Sequence, residues 1–549
     1  TKDFNFEGYF SGNANISQSG NTTNINQSTN KASINWQNFS IGANETVNFN
    51  QPSSSSVTLN KVVGTSNSLI QGAMNANGQV ILVNPNGVVF TEGSQVNVGG
   101  IVATTKNITD QDFQNGNYKF EGNSNASILN KGTIKTKNGG YVALVADQVK
   151  NEGRIEATLG RIELASGNKF TINLNNDSLV KLTIDEGTLN SLVENKGIIK
   201  ADGGKIYLTT QAVDSILDGV VNNTGIIEAQ SLSSNENGEV VLFAHGGTAE
   251  IGGTIKAEGG FVETSGRKVD LKDNIKVKAK NWLIDPYDIE IVSDSVTQTV
   301  ITPSSGTYTA PSDSTKIKAS TLVTALNAGT DVTVATTGAG SQNGDITVNS
   351  AISWTSNSDL TLHADRNINI NADITATNAT AKLILEYGQG AVAASNTADY
   401  NITRNVKVNL QDGQNFSTKL GSDGVVVDYT VINSSTALQA INTDSTTVIG
   451  KYALGSDVNL NGVAWTPIGN SDYFKGHFLG LGHDISNLSL TSTGWPGHAG
   501  LFAQTSYLDA THGAVIRDLG VSNVSISGSG IAYVGALVAY DNGGSNANN

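Results

Sequence analysis

The sequence predicts an all-β protein, a right-handed parallel β-helix whose short strands stack coil upon coil, with short extra-helical strands and loops. Three observations carry this prediction. One short string recurs along the chain, at intervals that suit the coils of a solenoid. A segment of alternating apolar and polar residues follows most copies of the string. The composition has 60 Gly against 7 Pro in 549 residues, which suits many tight corners.

The recurring string begins with Asn in four of its five copies. It reads NKGTIKTKNGG from Asn130, NEGRIEATLG from Asn151, NKGIIKADGG from Asn195, NTGIIEAQ from Asn223 and IGGTIKAEGG from Ile251. The shared glycines are about 21, 44, 28 and 28 residues apart, so we expect coils of about 20 to 28 residues and two coils in the longest interval. A single coil cannot bury its own apolar face, and neighbouring coils must therefore stack.

Four asparagines share one position of this repeat, and we expect their amides to form a ladder along the helix axis. They are Asn130, Asn151, Asn195 and Asn223. A glycine follows two residues after each Asn, and the fifth copy carries one at the same place. We expect these glycines to adopt the positive φ that a sharp corner needs. They are Gly132, Gly153, Gly197, Gly225 and Gly253.

The alternating segments predict strands around a narrow core. In the first of them Val142 and Leu144 alternate with Tyr141 and Ala143, and residues 161–164, 205–208 and 239–242 repeat the pattern. One face is apolar in every coil and the other is mostly polar. Coils of this length need about three short strands each. The right-handed sense follows from the usual crossover rule.

Composition and charge exclude several classes of protein. The net charge of −15 argues against nucleic acid and anionic membranes as partners, since both select for clustered Lys and Arg. No apolar run approaches the roughly 18 residues of a membrane-spanning helix. The absence of Cys suits a chain that crosses an oxidising periplasm unfolded. Because the chain starts at Thr1 without a signal peptide, we expect it to be a piece of a longer protein.

The sequence predicts neither an enzyme nor a metal or cofactor site. Three acidic pairs could in principle serve glycoside chemistry, but none has a nearby constellation of Lys or Arg, and turns or solvated faces explain them. These pairs are Asp110 with Asp112, Asp185 with Glu186, and Asp285 with Asp288. The six histidines show no metal-binding spacing. No Walker loop or nucleophile elbow is present.

Two surface patterns leave alternatives open. The basic run from Arg267 to Lys280 alternates with apolar residues, as in a strand with a solvated outer face, and binding of a heparin-like glycan is the alternative. Aromatic residues are frequent in the last third of the chain, where core packing is expected and stacking on sugars is the alternative. They are Trp354, Trp465, Tyr473, Phe474, Phe478 and Trp495.

More specific strings lie in the first third of the chain. They are INWQNFSIGANETVNFNQ from Ile34 and SLIQGAMNANGQVILVNPNGVVFTEGSQVNVGGIVATT from Ser68. These strings resemble the secretion domain, or haemagglutination-activity domain, of two-partner secretion exoproteins (the TpsA family). The matching positions that we take as the secretion motif are Asn35, Trp36, Asn84, Pro85, Asn86 and Gly87.

Later strings extend the resemblance to the high-molecular-weight adhesin subgroup, including glycan-binding exoprotein adhesins. They are GGFVETSGRKVDLKDNIKVKAKNWLIDP from Gly259, GDITVNSAISWTSNSDLTLHADRNININADI from Gly344 and YALGSDVNLNGVAWTPIGNSDYFKGHFLGLGHDISNLSL from Tyr452. The resemblance implies a secretion domain at residues 1–280 and a junction at 281–340. Adhesive haemagglutinin-type and GLUG-like repeats are expected to begin at 341–549.

The resemblance also implies a function and partners. A cognate outer-membrane translocator of the Omp85 type is expected to bind the first domain and to export the chain through periplasm and outer membrane to the cell surface or medium. The repeats are expected to attach to a host-cell glycan or receptor, with the protein acting as a monomeric adhesin. A haemolysin and a haem-acquisition exoprotein of the same secretion family are the alternatives.

Two residue-level expectations accompany this family. The turn Asn84–Gly87 is either a purely structural corner or a contact for the translocator. Some adhesins of this group are glycosylated on Asn by a partner glycosyltransferase, and N-x-S/T sequences are frequent here, although composition alone explains their number. The candidate acceptors are Asn107, Asn378, Asn401 and Asn487.

Overall fold

The computed structural model describes residues 4–189, 191–211, 219–233, 236–296, 314–336, 343–442, 444–493, 497–507, 513–529 and 532–542. The chain divides into two compact units, the first extending mainly to Tyr287 and the second mainly from Asp288 onward. Strands dominate both units. Among the described residues, no helix has the length and apolar character to cross a bilayer.

Three columns of parallel strands form the first unit. One column holds Ser68–Ile70, Val88–Phe90, Ser127–Asn130, Gln148–Asn151, Leu192–Asn195 and Val220–Asn223. A second holds Thr22–Gln27, Thr46–Asn50, Ala73–Ala76, Gln95–Thr104, Thr133–Ala146, Arg154–Glu156, Ile198–Lys200, Ile226–Glu228, Thr254–Leu271 and Lys276–Asp285. The third holds Lys31–Phe39, Val57–Val62, Gln79–Val83, Arg161–Ser166, Lys205–Gln211 and Glu239–Ile251, and the longest strands bend from one column into another.

Strand register confirms the predicted parallel β-helix. Each coil contributes three strand segments, and each segment pairs in parallel with its counterpart one coil later. Inward-facing positions such as Ile134, Ile155 and Ile199 lie directly above one another and have no exposed surface. Two strands precede the stack and pair antiparallel with it: Phe4–Ser11 pairs with Lys31–Phe39, and Ala14–Ser19 pairs with Thr22–Gln27.

The 44-residue interval of the repeat holds one coil, and the expectation of two coils there was wrong. Asn151 pairs directly with Asn195, so no further coil lies between them. The additional residues form the hairpin Lys169–Asn175 and Ser178–Glu186 outside the stack. Strand Tyr118–Glu121 adds to this hairpin and completes a three-stranded antiparallel sheet. A short helix, Asp110–Asn115, precedes that strand.

The extra-helical sheet explains why the strand Thr133–Ala146 has apolar residues on its outward side as well as on its inward side. Phe120 and Phe170 of this sheet stack at 4.6 Å between ring centroids. They belong to the same buried cluster as Tyr141, Ala143 and Val145, which face outward from the coils. The residues between the inward positions are therefore covered here, whereas the position of Tyr141 is occupied in later coils by Arg161, Lys205 and Glu239.

The repeat glycines serve close packing between coils, and the expected positive φ was wrong for four of the five. Only Gly253 has a left-handed φ, at 68°. A Cβ placed on Gly153 would lie 2.2 Å from the carbonyl oxygen of Gly132, and one on Gly197 would lie 2.1 Å from that of Gly153. Backbone carbonyls of the preceding coil thus occupy the space of a side chain, which only glycine leaves free.

The second unit also stacks strands in parallel, but most of its strands are shorter. One column holds Asp288–Val292, Ile346–Val348, Ile368–Ile370 and Tyr400–Ile402; a second holds Ile352–Trp354, Ile374–Ala376 and Val408–Asn409; a third holds Asp331–Thr336, Leu360–Ala364, Leu383–Tyr387 and Gly413–Leu420. Ser314–Lys318 leads into the helix Ala319–Asn327, and Val427–Ile432 pairs antiparallel with Gly413–Leu420.

The last part of the second unit continues with strands of two to five residues. They are Lys451–Leu454, Val458–Asn459, His477–Leu479, Asp484–Ser486, Ser489–Thr493, His498–Ala499, Phe502–Ser506, Val515–Arg517, Gly520–Ser522, Ser525–Ser529, Tyr533–Val534 and Val538–Asn542. The helix Ser435–Gln439 and the 3-10 turns Ala440–Asn442 and Thr447–Ile449 precede them. Pairings such as Lys451 with His477 and His477 with Val515 are again parallel.

Candidate functional site

The turn Asn84–Gly87 connects a strand of the third column to a strand of the first. The amide of Gly87 donates to the carbonyl of Asn84 at 3.0 Å, which closes a β-turn. Pro85 fixes φ at the second position of the turn. Gly87 has a φ of 103°, which a residue with a Cβ rarely adopts. Pro85 is exposed, so it is the part of the turn that solvent or a partner meets.

The Asn84 side chain is buried, and its amide is fully used inside the protein. Its Nδ2 donates to the carbonyl of Ser66 at 3.0 Å and to Oγ of Ser68 at 2.9 Å. Its Oδ1 accepts from the backbone N–H of Asn86 at 2.9 Å and from Nδ2 of Asn86 at 3.0 Å. Asn86 also donates to the carbonyl of Gly64 at 2.9 Å. Both asparagines therefore hold the turn against the loop of residues 63–67.

The other half of the sequence motif lies in strand Lys31–Phe39. Trp36 is 1% exposed, donates through Nε1 to Oδ1 of Asn60 at 3.0 Å and packs edge-on against Phe39. Asn35 lies beside Gly8 and Lys61 in the sheet and is half-buried. The carbonyl of Trp36 accepts from the amide of Val63 at 2.8 Å. Strand and turn thus contact the same loop.

A buried ion pair near the turn was not predicted from the sequence. Nζ of Lys106 lies 2.7 Å from Oδ1 of Asp147, and the two side chains are 0% and 2% exposed. Nζ also donates to the carbonyl of Ser124 and to Oδ1 of Asn168. The one sequence signal for its burial was that Lys106 directly follows the mostly apolar run Ile101–Thr105, which lies in the core. A lone Lys in sequence does not show which acidic residue the fold will bring to it.

The four repeat asparagines form a continuous line of hydrogen bonds, and all four are fully buried. Asn130 donates to Asn151 at 2.7 Å, Asn151 to Asn195 at 2.8 Å, and Asn195 to Asn223 at 2.8 Å. Asn223 donates to the carbonyl of Gly252 at 2.8 Å, where the next coil has Ile251 in place of Asn. We call these four residues the corner column.

The glycosylation candidates differ in how far their amides are engaged. Nδ2 of Asn401 donates to Asn369 at 3.2 Å, and Nδ2 of Asn487 donates to Asn459 at 2.9 Å. Asn378 accepts from Thr380 of its own N-x-T sequence through Oδ1, and Nδ2 is 3.4 Å from the carbonyl of Thr355. Asn107 is exposed, and its Oδ1 accepts from the next backbone amide. A glycan on Asn401 or Asn487 would be attached to a nitrogen that also donates to the neighbouring coil.

The acidic pairs have structural partners. Asp110 accepts from Oγ of Ser33 at 2.8 Å, and Asp112 accepts from Thr109, the residue that caps the short helix. Asp185 accepts from Thr171 at 2.6 Å, and Asp288 accepts from the amide of Asp345. Within the described ranges, no group of three His, Asp or Glu side chains could hold a metal ion.

The aromatic residues of the last third lie mostly in the core of the second unit. Trp354, Phe474 and Phe478 have no exposed surface, and Trp465 is 6% exposed. Tyr473 is half-buried, and Trp495 lies outside the described residues. In the basic run, Val269 and Val277 point inward while Lys276 and Lys278 are exposed, as expected for a strand with a solvated face.

Comparison with known proteins identifies the first unit. Residues 8–257 match the family model described as the TPS secretion domain, where TPS stands for two-partner secretion. These residues are a two-partner secretion domain. The matched range contains the turn, Trp36, the buried ion pair and the corner column. Exoproteins with this domain are secreted through the periplasm and outer membrane, so the localisation predicted from the sequence is confirmed.

Two curated relatives each match just under half of this chain. A heme/hemopexin-binding protein from Haemophilus influenzae is 40% identical over 269 residues, which cover 48% of this chain and 29% of the relative. A second heme/hemopexin-binding protein from Haemophilus influenzae is 35% identical over 282 residues, with 47% and 30% covered. The chain thus spans about three tenths of the length of the curated relatives that it matches.

One solved structure is also similar. The HMW1 secretion domain from Haemophilus influenzae aligns with a TM-score of 0.49 and 25% sequence identity, covering 74% of this chain and 98% of the other.

Proposed function

We propose that the secretion domain is the address that a cognate Omp85-type outer-membrane translocator reads, so that the chain crosses the outer membrane through it. The match of residues 8–257 to the secretion-domain family carries this proposal. The turn supports it in a specific way: Asn84 and Asn86 are used inside the protein, while Pro85 is presented outward. The asparagines would thus serve recognition indirectly, by shaping the turn.

The stacked architecture suits export of this kind. Each coil pairs with the coil before it, so contacts are local along the axis and folding can proceed coil by coil as the chain emerges. Burial of each new apolar edge would favour outward movement. This account requires no ATP at the outer membrane and no catalytic residue, and we propose that the protein is not an enzyme.

Co-expression of the chain, carrying a periplasmic signal peptide, with its translocator tests this proposal. We expect the protein in the medium or on the cell surface only when the translocator is present. An empty-vector strain measures leakage, and a periplasmic marker enzyme measures lysis. Equal amounts of external protein with and without the translocator would refute the proposal.

For the exported protein as a whole, we propose binding of a haem-carrying host protein. The support is the pair of relatives whose names state heme and hemopexin binding. Adhesion to a host glycan or receptor, which the later repeats suggested, is the competing function. Immobilised hemopexin and a glycan array, probed with the full exported protein, separate the two. Retention on hemopexin supports haem acquisition, while selective glycan binding without hemopexin binding contradicts it.

Modification by a glycosyltransferase is a separate proposal for the four candidate asparagines. The amides of Asn401 and Asn487 are engaged between coils, so we expect a transferase to reach them more readily before the chain folds. The intact mass of protein purified from its native host decides this. Mass increments of hexose size on peptides containing Asn107, Asn378, Asn401 or Asn487 support glycosylation, and the unmodified mass excludes it.

A further inference from the structure

The side-chain amine of Lys106 is the meeting point of four segments of the secretion domain. An ammonium group has three N–H donors and no acceptor. Here each donor has one partner: Oδ1 of Asp147 at 2.7 Å, the carbonyl of Ser124 at 2.9 Å and Oδ1 of Asn168 at 3.1 Å. The charge is therefore fully paired and fully bonded away from water.

These four residues mark the places where the chain leaves and re-enters the stack. Lys106 begins the first excursion, the segment of residues 105–126 that lies outside the stack and contains the short helix, and Ser124 lies near the end of this segment. Asp147 forms a corner between two strands of the next coil. Asn168 opens the second excursion, the hairpin of the extra-helical sheet. One buried charge thus sets both excursions relative to the coils.

The same network reaches the turn through two links. Oγ of Ser124 donates to the carbonyl of Pro85, the exposed residue of the turn. The backbone N–H of Asn84 donates to the carbonyl of Thr104 at 2.9 Å, and the backbone N–H of Lys106 donates to Oγ1 of Thr104 at 3.0 Å. The outward side of the turn is therefore held by the segment that Lys106 anchors.

Buried ion pairs contribute little net stability compared with apolar residues of similar size, because desolvation offsets the attraction. Their best-attested benefit is a defined arrangement of the groups around them. We propose that Lys106 is a positioning residue for recognition by the translocator: through Ser124, its ammonium fixes how the turn at Pro85 is presented. This inference rests on the proposed export function.

The decisive variant removes both charges at once. Lys106→Met/Asp147→Leu leaves no buried charge unpaired, whereas Lys106→Met alone would leave the Asp147 carboxylate without its cation. We expect the double variant to keep an unfolding midpoint close to wild type. Its export should fall several-fold, and peptides covering residues 84–90 and 118–127 should exchange amide hydrogen faster. Ile227→Ala is the control for a general loss of stability, because it truncates a buried residue remote in sequence from these segments and should leave their amide exchange unchanged.

Ser124→Ala provides an independent arm. It removes the hydroxyl that donates to the carbonyl of Pro85 and accepts from the amide of Ala126, and it leaves the carbonyl bond to Lys106. Reduced export of this variant with an unchanged midpoint supports the inference, even where the double variant fails to fold. Wild-type export and exchange in either folded variant overturn it. Absence of export for the wild-type chain with its translocator is a different result, since it refutes the proposed function itself.

Discussion

The corner column and the turn Asn84–Gly87 both use asparagine side chains as structural hydrogen-bonding groups. In the corner column the hydrogen bonds join successive coils, whereas in the turn they stay within one corner. In the corner column, Nδ2 of each of the first three residues donates to the Asn of the next coil, and Nδ2 of Asn223 donates to the carbonyl of Gly252, so one residue serves two coils. In the turn, Asn84 and Asn86 bond to each other and to one neighbouring loop. Loss of a column residue should therefore damage several coils, while loss of a turn residue should damage one corner.

The largest effect is expected in the middle of the corner column. Asn195→Ala leaves Nδ2 of Asn151 with only its long contact of 3.4 Å to the carbonyl of Gly153, and it removes the donor to Oδ1 of Asn223, both away from water. Each buried unsatisfied group costs about 1 to 3 kcal/mol, so we expect a loss of about 4 kcal/mol. Urea unfolding, followed by hydrogen exchange of peptides from residues 127–230, measures it.

Asn97→Ala is the matched control, because Asn97 also bonds to an Asn of a neighbouring coil but is exposed to water. We expect a loss below about 0.5 kcal/mol there. Equal effects of the two substitutions would contradict the importance of burial in the corner column.

The repeat glycines test the coil-to-coil contact in another way. Gly153→Ala places a methyl group against the carbonyl of Gly132, which is backbone and cannot move aside without displacing a coil. We expect a loss of about 3 kcal/mol. Gly139→Ala is the comparison, since Gly139 has a φ of 77° and no atom within 4 Å of the added carbon. Strain alone should cost about 1 kcal/mol there. Thermal unfolding of both variants shows whether close approach outweighs backbone conformation.

A smaller loss is expected at the turn. Asn84→Ala removes the donor to Ser66 and Ser68 and the acceptor for Asn86, within a single corner. We expect about 2 kcal/mol for Asn84→Ala and about 1 kcal/mol for Asn86→Ala. Hydrogen exchange should accelerate in residues 62–90 and remain unchanged in residues 190–230. Acceleration in both regions would mean that the turn and the corner column are one cooperative unit.

An effect similar in size to that of Asn84→Ala is expected from a pH dependence at Glu163, on the outer face of the coils. Burial raises the pKa of Glu163 from its ordinary 4.5 to about 7, and the bond from Arg161 offsets only part of that cost. Because the folded protein binds this proton more tightly, the associated stability is complete below about pH 4.5 and is lost as pH rises through 7. We expect the free energy of unfolding to be about 2 kcal/mol lower at pH 8 than at pH 5.5.

Glu163→Gln should remove this dependence, because a neutral amide does not titrate. Urea unfolding of wild type and variant at the two pH values measures the difference. A wild-type stability that rises between pH 5.5 and 8, with Glu163→Gln unaffected, would contradict the raised pKa.

The sequence alone predicted the stacked coils, because Asn and Ile recur at fixed offsets and parallel register places like residues over like. It did not predict the extra-helical hairpin, because residues 169–186 alternate as a coil strand does and their antiparallel pairing depends on a turn at Asn176. Gly153 was misinterpreted for a related reason. Its close contact is with another coil, and a repeat does not show how near two backbones approach.

The site was predictable in part. NPNG marks a turn by its own chemistry, and its burial against residues 63–67 follows only from the folded chain. The partners of Lys106 lie 18, 41 and 62 residues away in sequence, so no local pattern reveals them.

Export of the full chain with and without its translocator tests the central claim most directly, with Asn84→Ala/Asn86→Ala as the informative variant. We predict that wild-type protein reaches the medium only when the translocator is present, and that the variant accumulates in the periplasm. Export of the variant at the wild-type level would show that the turn is dispensable. Wild-type protein that stays in the periplasm despite its translocator would contradict the assignment of residues 8–257 as the export address.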